Sequence, residues 1–323
     1  MKVRRIGVLT SGGDAPGMNS AVRAVVRAAD AVAIETVGIM AGYEGLITGS
    51  MRRLQPRDVG DINHRGGTIL QTSRCDEMRT EQGRAAARSN LAAEGIDALV
   101  VIGGDGSLTG AHTLDTEGVP AVGVPASIDN DLWGTTMAVG VDTALNTIVE
   151  AVDRLRDTAQ SHERVFLVET MGRNSGYLAL LSAIACGAEI AIVPERDTTL
   201  EDVVAAVTNA YARGKSHAFI MVAEGARLGI QDVASHCEQS NLGFEIRVTL
   251  LGHVQRGGSP SSFDRILASR LGAAAVDALA AGEHDVMTAL TGTHIETLPL
   301  VEVTGRSREN DLSYADLIAV LAR

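Results

Sequence analysis

Short apolar runs of five to seven residues alternate along the chain with longer stretches whose apolar positions recur every three or four residues. The runs RIGVLT (5–10), TVGIM (36–40), ALVVIGG (98–104), AVGVPA (121–126), RVFLVET (164–170), IAIVP (190–194), AFIMVAE (218–224) and IRVTLLG (246–252) predict strands. Most are unbroken and rich in β-branched residues, the pattern of strands covered on both faces. Helical spacing is clearest over about 139–159, where Leu145, Ile148, Val149, Val152 and Leu155 form one stripe. Further helices are expected near 18–31, 81–94, 107–117, 175–186, 199–213, 229–239, 261–281 and 311–321. Such alternation predicts an α/β fold with mainly parallel sheets and helices on both faces, and ligands at the carboxyl ends of the strands. No repeat of fixed period and no linker interrupts it.

Four of the strand ends carry glycine or charge: SGGDAPGMN after 5–10, GGDGS after 98–104, SIDND after 121–126 and MGRNSG after 164–170. In the first, Gly12 and Gly13 admit a ligand close to the backbone, and the helix behind offers free N–H groups to an anion. A tight strand–helix turn with Asp14 helping to cap it explains that loop equally well. The loop is neither a Walker A motif, lacking the lysine, nor the dinucleotide G-x-G-x-x-G. In the second loop, Gly103, Gly104 and Gly106 remove side chains around one carboxylate, Asp105, and Ser107 can cap the following helix. A lone Asp among phosphate-binding amides repels the ligand unless a cation lies between, so Mg²⁺ bridging phosphate oxygens is its natural partner.

The stretch VGVPASIDND (122–131) ends a buried strand in two carboxylates, Asp129 and Asp131. On an extended backbone residues i and i+2 point the same way, so both could face one cavity. Phosphoryl transfer has a use for the pair: one accepts the proton of an attacking hydroxyl, the other orients a group or a metal's water. The Ser127 hydroxyl could touch the moving phosphoryl group. The plainer alternative is an Asx turn built from Asp-Asn-Asp.

The chain has 323 residues, enough for one large or two medium domains, with 45% hydrophobic and only 3% aromatic residues, so its core must be aliphatic. The net charge of −12 argues against nucleic acid and acidic membrane surfaces as partners, and any anionic ligand needs a local arginine cluster. Candidates are Arg74, Arg164, Arg173, Arg247 and Arg256, with His253 nearby in sequence; Arg suits bidentate phosphate recognition. Arg23 with Arg27 and Arg154 with Arg156 read by spacing alone as exposed helix charge. Three cysteines without paired spacing, no signal peptide and no long apolar span together suggest a reduced, cytoplasmic setting.

Taken together, IGVLTSGGDAPGMN, GGT, VIGGDGS, IDND, DRLRDTAQSHERV, MGR and LGHVQRGGSPSSFDRILASRLG resemble the bacterial ATP-dependent 6-phosphofructokinases, from about residue 5 to 272 and more loosely to the end. The resemblance implies two Rossmann-like lobes with the active site in the cleft between them. The larger, ATP-binding lobe would take 1–139 and 256–304, the sugar-phosphate lobe 140–255, and a return segment 305–323. It implies transfer of the ATP γ-phosphoryl group to the 1-hydroxyl of fructose 6-phosphate with Mg²⁺, in a homo-oligomer, normally a tetramer. Asp129 would be the base, Asp105 the Mg²⁺ residue, and Arg74 and Arg173 would offset developing charge. Ser127, Ile128, Asp129, Met171, Gly172, Arg173, Glu224, His253 and Arg256 would hold the sugar phosphate, with Arg164 and Arg247 reaching it from a neighbouring subunit. Gly13, Tyr43, Arg74, Cys75, Gly104, Asp105, Gly106 and Ser107 match the nucleotide positions. Arg23, Arg27, Arg156, Glu189, Arg213 and Lys215 match an effector site for ADP or phosphoenolpyruvate, although Pro56 falls where another arginine is expected.

Pyrophosphate-using relatives carry Asp where this chain has Gly106 and Lys where it has Ala126; the small residues here leave room for ATP. Two departures stand out: Ser127 replaces the usual Thr, and Gln71 a usual Gly. A dehydrogenase is disfavoured by the missing dinucleotide motif. A non-catalytic regulatory subunit is disfavoured by the intact Asp105, Asp129, Asp131 and Arg173.

Overall fold

The computed structural model describes residues 3–240 and 243–323; Met1, Lys2, Asn241 and Leu242 lie outside the described residues. In chain order the elements are β1 (Arg5–Ser11), α1 (Met18–Ala31), β2 (Glu35–Ile39), α2 (Tyr43–Thr48), β3 (Met51–Leu54), α3 (Glu81–Ala93), β4 (Ala98–Gly103), α4 (Asp105–Thr116) and β5 (Ala121–Pro125). Then come α5 (Val141–His162), β6 (Arg164–Thr170), α6 (Tyr177–Cys186), β7 (Ile190–Ile192), α7 (Leu200–Ala212), β8 (Ala218–Ala223), α8 (Ile230–Gln239) and β9 (Glu245–Leu250). The last are α9 (Ser262–Ala281), β10 (Val286–Thr291), β11 (His294–Pro299), α10 (Leu300–Val303) and α11 (Ser313–Leu321).

The chain forms two compact units. One comprises the residues up to Ile128, Leu132–Thr143 and Arg256–Arg308; the other Asp129–Asp131, Ala144–Gln255 and Glu309–Arg323. The first is built on a seven-stranded sheet of order β11-β10-β5-β4-β1-β2-β3. Its edge strands β3 and β11 run antiparallel to their neighbours and the interior pairs are parallel. Strands β4 and β5 are buried along their whole length, as their unbroken apolar sequences require. Register places Ser11 opposite Gly103 and Gly103 opposite Pro125, so β1, β4 and β5 end level and their loops leave the sheet side by side. Helices α1 and α9 pack together on this sheet.

The second unit has a four-stranded parallel sheet of order β7-β8-β6-β9. Its core joins Val165, Leu167, Ile220 and Val222 on the strands to Val203, Val207 and Val233 on α7 and α8. Thr170 lies opposite Ala223, which levels the ends of β6 and β8.

Several expectations need correcting. The hairpin β10–β11, strand β3 and the short helices α2 and α10 were not foreseen. Strand β3 reads Met-Arg-Arg-Leu with one residue buried, too polar and brief to register as a strand. Strand β9 departs from the pattern of most of the runs: it is an edge strand with only Ile246 buried. Helix α4 begins at Asp105, not 107. Its N-cap is Gly104 with no side-chain cap bond, and Ser107 sits buried inside the first turn instead of capping it. Asp14 caps nothing either, since α1 starts at Met18 behind Gly17.

Candidate active site

In the first unit the level strand ends bring three loops together. The start of α1 is sequestered: a Cβ on Gly17 would meet Val139 at 2.7 Å, and Met18, Asn19 and Ser20 are buried. The amides available to an anion are therefore those of the exposed Gly12–Gly13 pair, not the helix start expected from sequence. Gly13 leaves room for a neighbour. A Cβ there would lie 2.3 Å from an Arg256 Nη1, so the guanidinium rests on bare backbone, with Asp14 Oδ1 at 3.9 Å. Arg256, assigned from sequence to the sugar phosphate, thus stands at the first glycine loop.

The second loop presents Asp105 and Gly106, both exposed, at the first turn of α4. There the helix dipole favours an anion, and the Gly106 backbone faces open space. Tyr43 secures that turn: its buried hydroxyl donates to the Ser107 carbonyl at 2.5 Å, and burial pushes its pKa up. Among the described residues no group of three His, Cys, Asp or Glu side chains could hold a metal ion. One exposed carboxylate beside open glycine backbone fits a Mg²⁺ that arrives with phosphate oxygens and keeps waters, rather than a resident ion.

The segment carrying Arg74 and Cys75 is laid against the end of β1. Thr10 Oγ1 lies 2.8 Å from Thr68 Oγ1 and donates to the Gln71 carbonyl at 2.9 Å, while Thr72 donates to the Gly12 carbonyl at 2.8 Å. Gln71 has φ of 63°, a left-handed conformation. That explains the usual Gly at this position: an L-residue there carries about 1–2 kcal/mol of strain. Gln71→Gly should leave stability within about 0.5 kcal/mol, because relief of strain is offset by a more flexible unfolded chain. Gln71→Val should lose about 1–2 kcal/mol. Equal melting temperatures for the two variants would contradict this.

Ser127 and Ile128 follow β5, Ser127 half-buried and Ile128 buried. Asp129 and Asp131 are half-buried in a turn, not on extended backbone: the buried Asn130 between them has φ of 48°. The i, i+2 argument for a shared direction therefore fails. The sequence Asp-Asn-Asp supplies the residue type that, after glycine, best tolerates this bend.

In the second unit the loop after β6 is tightly specified. Glu224, at the end of β8, accepts the Arg173 N–H at 2.8 Å and the Gly172 N–H at 3.3 Å. Gln255 accepts the Met171 N–H at 3.2 Å and is wholly buried. Arg173 is exposed with φ of 52°, and a Cβ on Gly225 would lie 1.7 Å from its carbonyl oxygen. Gly225 is thus fixed by close approach, and both Gln255 and Gly225 escaped the sequence reading. Arg164 and Arg247 both pair with Glu245 at the β6–β9 edge, a partner also missed. His253 lies in the exposed turn after β9.

Glu169, at the end of β6, has its pKa raised by burial and, secondarily, by the charge of Glu224. A folded-state pKa above the unfolded one means that stability is fully present below the ordinary value of 4.5 and is lost as pH rises through the raised value. Glu169→Gln removes that titration. Its melting temperature relative to the parent should therefore climb between acid and neutral pH; a constant difference would refute the assignment.

Of the effector candidates, Lys215 Nζ lies 2.7 Å and Arg213 3.7 Å from the buried Glu189, and Arg156 donates to the Cys186 carbonyl and covers the Phe219 ring at 5.1 Å. Burial raises the Cys186 thiol pKa to about 11. Arg23 and Arg27 lie one turn apart on α1, in the first unit.

Residues 5–279 match the family described as Phosphofructokinase. The chain belongs to the phosphofructokinase family. It is 50% identical over 321 residues to the ATP-dependent 6-phosphofructokinase of Thermotoga neapolitana, covering 99% of this chain and 100% of that protein. It is 51% identical over 321 residues to ATP-dependent 6-phosphofructokinase 1 of Thermus thermophilus, with the same coverage. Among solved structures it is similar to Pichia pastoris phosphofructokinase in the T-state, at 38% identity and TM-score 0.89. That match covers 94% of this chain but only 38% of the yeast chain. The pyrophosphate-dependent phosphofructokinase of Marinobacter aquaeolei shares the fold, with TM-score 0.84 at 20% identity, over 97% of this chain and 86% of that one. The family fold is the mainly parallel α/β architecture described above.

Proposed function

We propose that this phosphofructokinase is an ATP-dependent 6-phosphofructokinase, making fructose 1,6-bisphosphate and ADP from fructose 6-phosphate and ATP in glycolysis. The observation that carries the proposal is the level ending of β1, β4 and β5, which sets the Gly12–Gly13 and Gly104–Ser107 backbones side by side. Two relatives of about 50% identity over nearly the whole chain bear the same name. ATP is favoured over pyrophosphate because Gly106 faces open space where an acidic side chain would oppose an α-phosphate, and because position 126 holds a buried alanine instead of a lysine.

In the proposed mechanism Asp129 accepts the proton of the sugar 1-hydroxyl as that oxygen attacks the γ-phosphorus, with Asp131 and Ser127 orienting the reacting groups. Gly13, Tyr43, Cys75, Gly104, Gly106 and Ser107 shape the nucleotide site, and Arg74 and Arg173 offset charge developing on the phosphoryl group. Asp105 would hold Mg²⁺, which supplies charge neutralisation of the nucleotide phosphates. The loop Met171–Arg173, with Ile128, Glu224, His253 and Arg256, binds the sugar phosphate. Arg164 and Arg247 serve a neighbouring subunit of a cytoplasmic homotetramer. Arg23, Arg27, Arg156, Glu189, Arg213 and Lys215 receive an effector, ADP or phosphoenolpyruvate.

The test is formation of fructose 1,6-bisphosphate from fructose 6-phosphate and Mg²⁺, with ATP and pyrophosphate compared as donors. Faster turnover with ATP is expected. Faster turnover with pyrophosphate would overturn the donor assignment, and no turnover with either would overturn the function.

A further inference from the structure

The C-terminal segment reaches the loop assigned to the sugar phosphate. Asn310 donates through Nδ2 to Glu195 Oε1 at 2.6 Å and to Ser175 Oγ at 3.1 Å. Both acceptors hold that loop. Glu195 Oε1 also accepts the Gly176 N–H at 2.8 Å, Ser175 Oγ accepts the Tyr177 N–H at 3.3 Å, and the Ser175 N–H closes back on the Gly172 carbonyl at 2.7 Å. The loop from Gly172 to Tyr177 is therefore clamped twice: by Glu224 at its start and by the Asn310–Glu195 pair at its end.

The segment bearing Asn310 is itself anchored. Helix α11 packs on α6 and β7, Asp316 pairs with Arg196 at 3.2 Å, and the Ala322 carbonyl accepts from Arg213 at 2.8 Å. A side-chain amide suits this place because a carboxylate needs donors, and a second acidic group beside Glu195 would repel it. The remaining Glu195 oxygen, Oε2, is buried and has no hydrogen-bond partner among the described residues, so the Gly176 N–H and the Asn310 amide are the donors that hold that carboxylate.

We infer that Asn310 is a positioning residue for the sugar-phosphate loop, holding Gly172–Gly176 in its binding shape through Glu195 and Ser175. This rests on the assignment of Met171–Arg173 to the sugar phosphate. The chemistry gives an order: Asn310→Ala removes two donors, and Asn310→Asp removes them and sets a second carboxylate against Glu195.

The experiment uses the full chain and has two readouts. Amide hydrogen exchange without ligand should speed up in residues 171–177 of the Ala variant and more so in the Asp variant. The KM for fructose 6-phosphate should rise about threefold and about tenfold respectively, with kcat and the KM for ATP within about twofold. A thermal melt of each variant verifies folding, and if the Asp variant fails it, the Ala variant carries the test alone. Unchanged exchange in residues 171–177 would overturn the inference. Faster exchange with unchanged KM for fructose 6-phosphate would uphold the clamp and overturn the assignment of the loop to the sugar.

Discussion

Asn in place of Asp129 lowers kcat by about two to four orders of magnitude and leaves the KM for fructose 6-phosphate within a few-fold. A primary alcohol is a poor nucleophile until its proton departs, and an amide cannot take that proton, although it fills the same volume and keeps a hydrogen bond to the hydroxyl. The loss should therefore fall on the chemical step, visible in single-turnover phosphoryl transfer at saturating sugar phosphate. Asp131→Asn should cost less, since an amide can still orient a neighbour. The left-handed Asn130, buried between them, holds the turn that presents Asp129. Near-normal turnover in the Asp129 variant would remove the general base from the mechanism.

The second large effect is on stability. Asp264→Ala should destabilise the protein by about 3–5 kcal/mol, measured by denaturant unfolding. Asp264 is wholly buried on α9. Its Oδ1 accepts the Gly140 N–H at 2.9 Å, and its Oδ2 accepts the Thr143 N–H at 2.8 Å and the Thr143 hydroxyl at 2.5 Å. Removing the carboxylate takes this acceptor from two N–H groups at the start of α5 and from a hydroxyl, all buried. The remaining cap stays in place: Ser261 accepts the Asp264 N–H at 3.2 Å and donates to Asp142 at 2.5 Å. A loss below about 1 kcal/mol would mean that water replaces the lost acceptor. Burial raises the Asp264 pKa even against those three donors, and the charge of Asp142 adds to the rise.

Much of this was legible along the chain. The unbroken runs of β1, β4, β5, β6 and β8 announce buried parallel strands because a strand covered on both faces has no polar positions to interrupt it. Glycine clusters mark the ends of β1 and β4 because only bare backbone lets other groups approach, as Arg256 does at Gly13. What escaped were polar residues whose partners lie far away in sequence. Gln255 serves Met171, 84 residues earlier, Asn310 serves Glu195, 115 residues earlier, and Asp264 serves Gly140, 124 residues earlier. Nothing local sets a buried glutamine or asparagine apart from a surface one.

The direction of a side chain was equally beyond the sequence. Period-2 logic pointed Asp129 and Asp131 the same way, and one left-handed residue between them cancels that inference. The sequence by itself determined the α/β class, the glycine-bearing strand ends and the family, because these follow from residue type and spacing along one element. Tertiary structure alone decided the level ending of three strands, the seating of Arg256 on Gly13 and the double clamp on the Gly172–Tyr177 loop. Each of these depends on register and on hydrogen bonds between distant segments, which are fixed only once the sheets have formed.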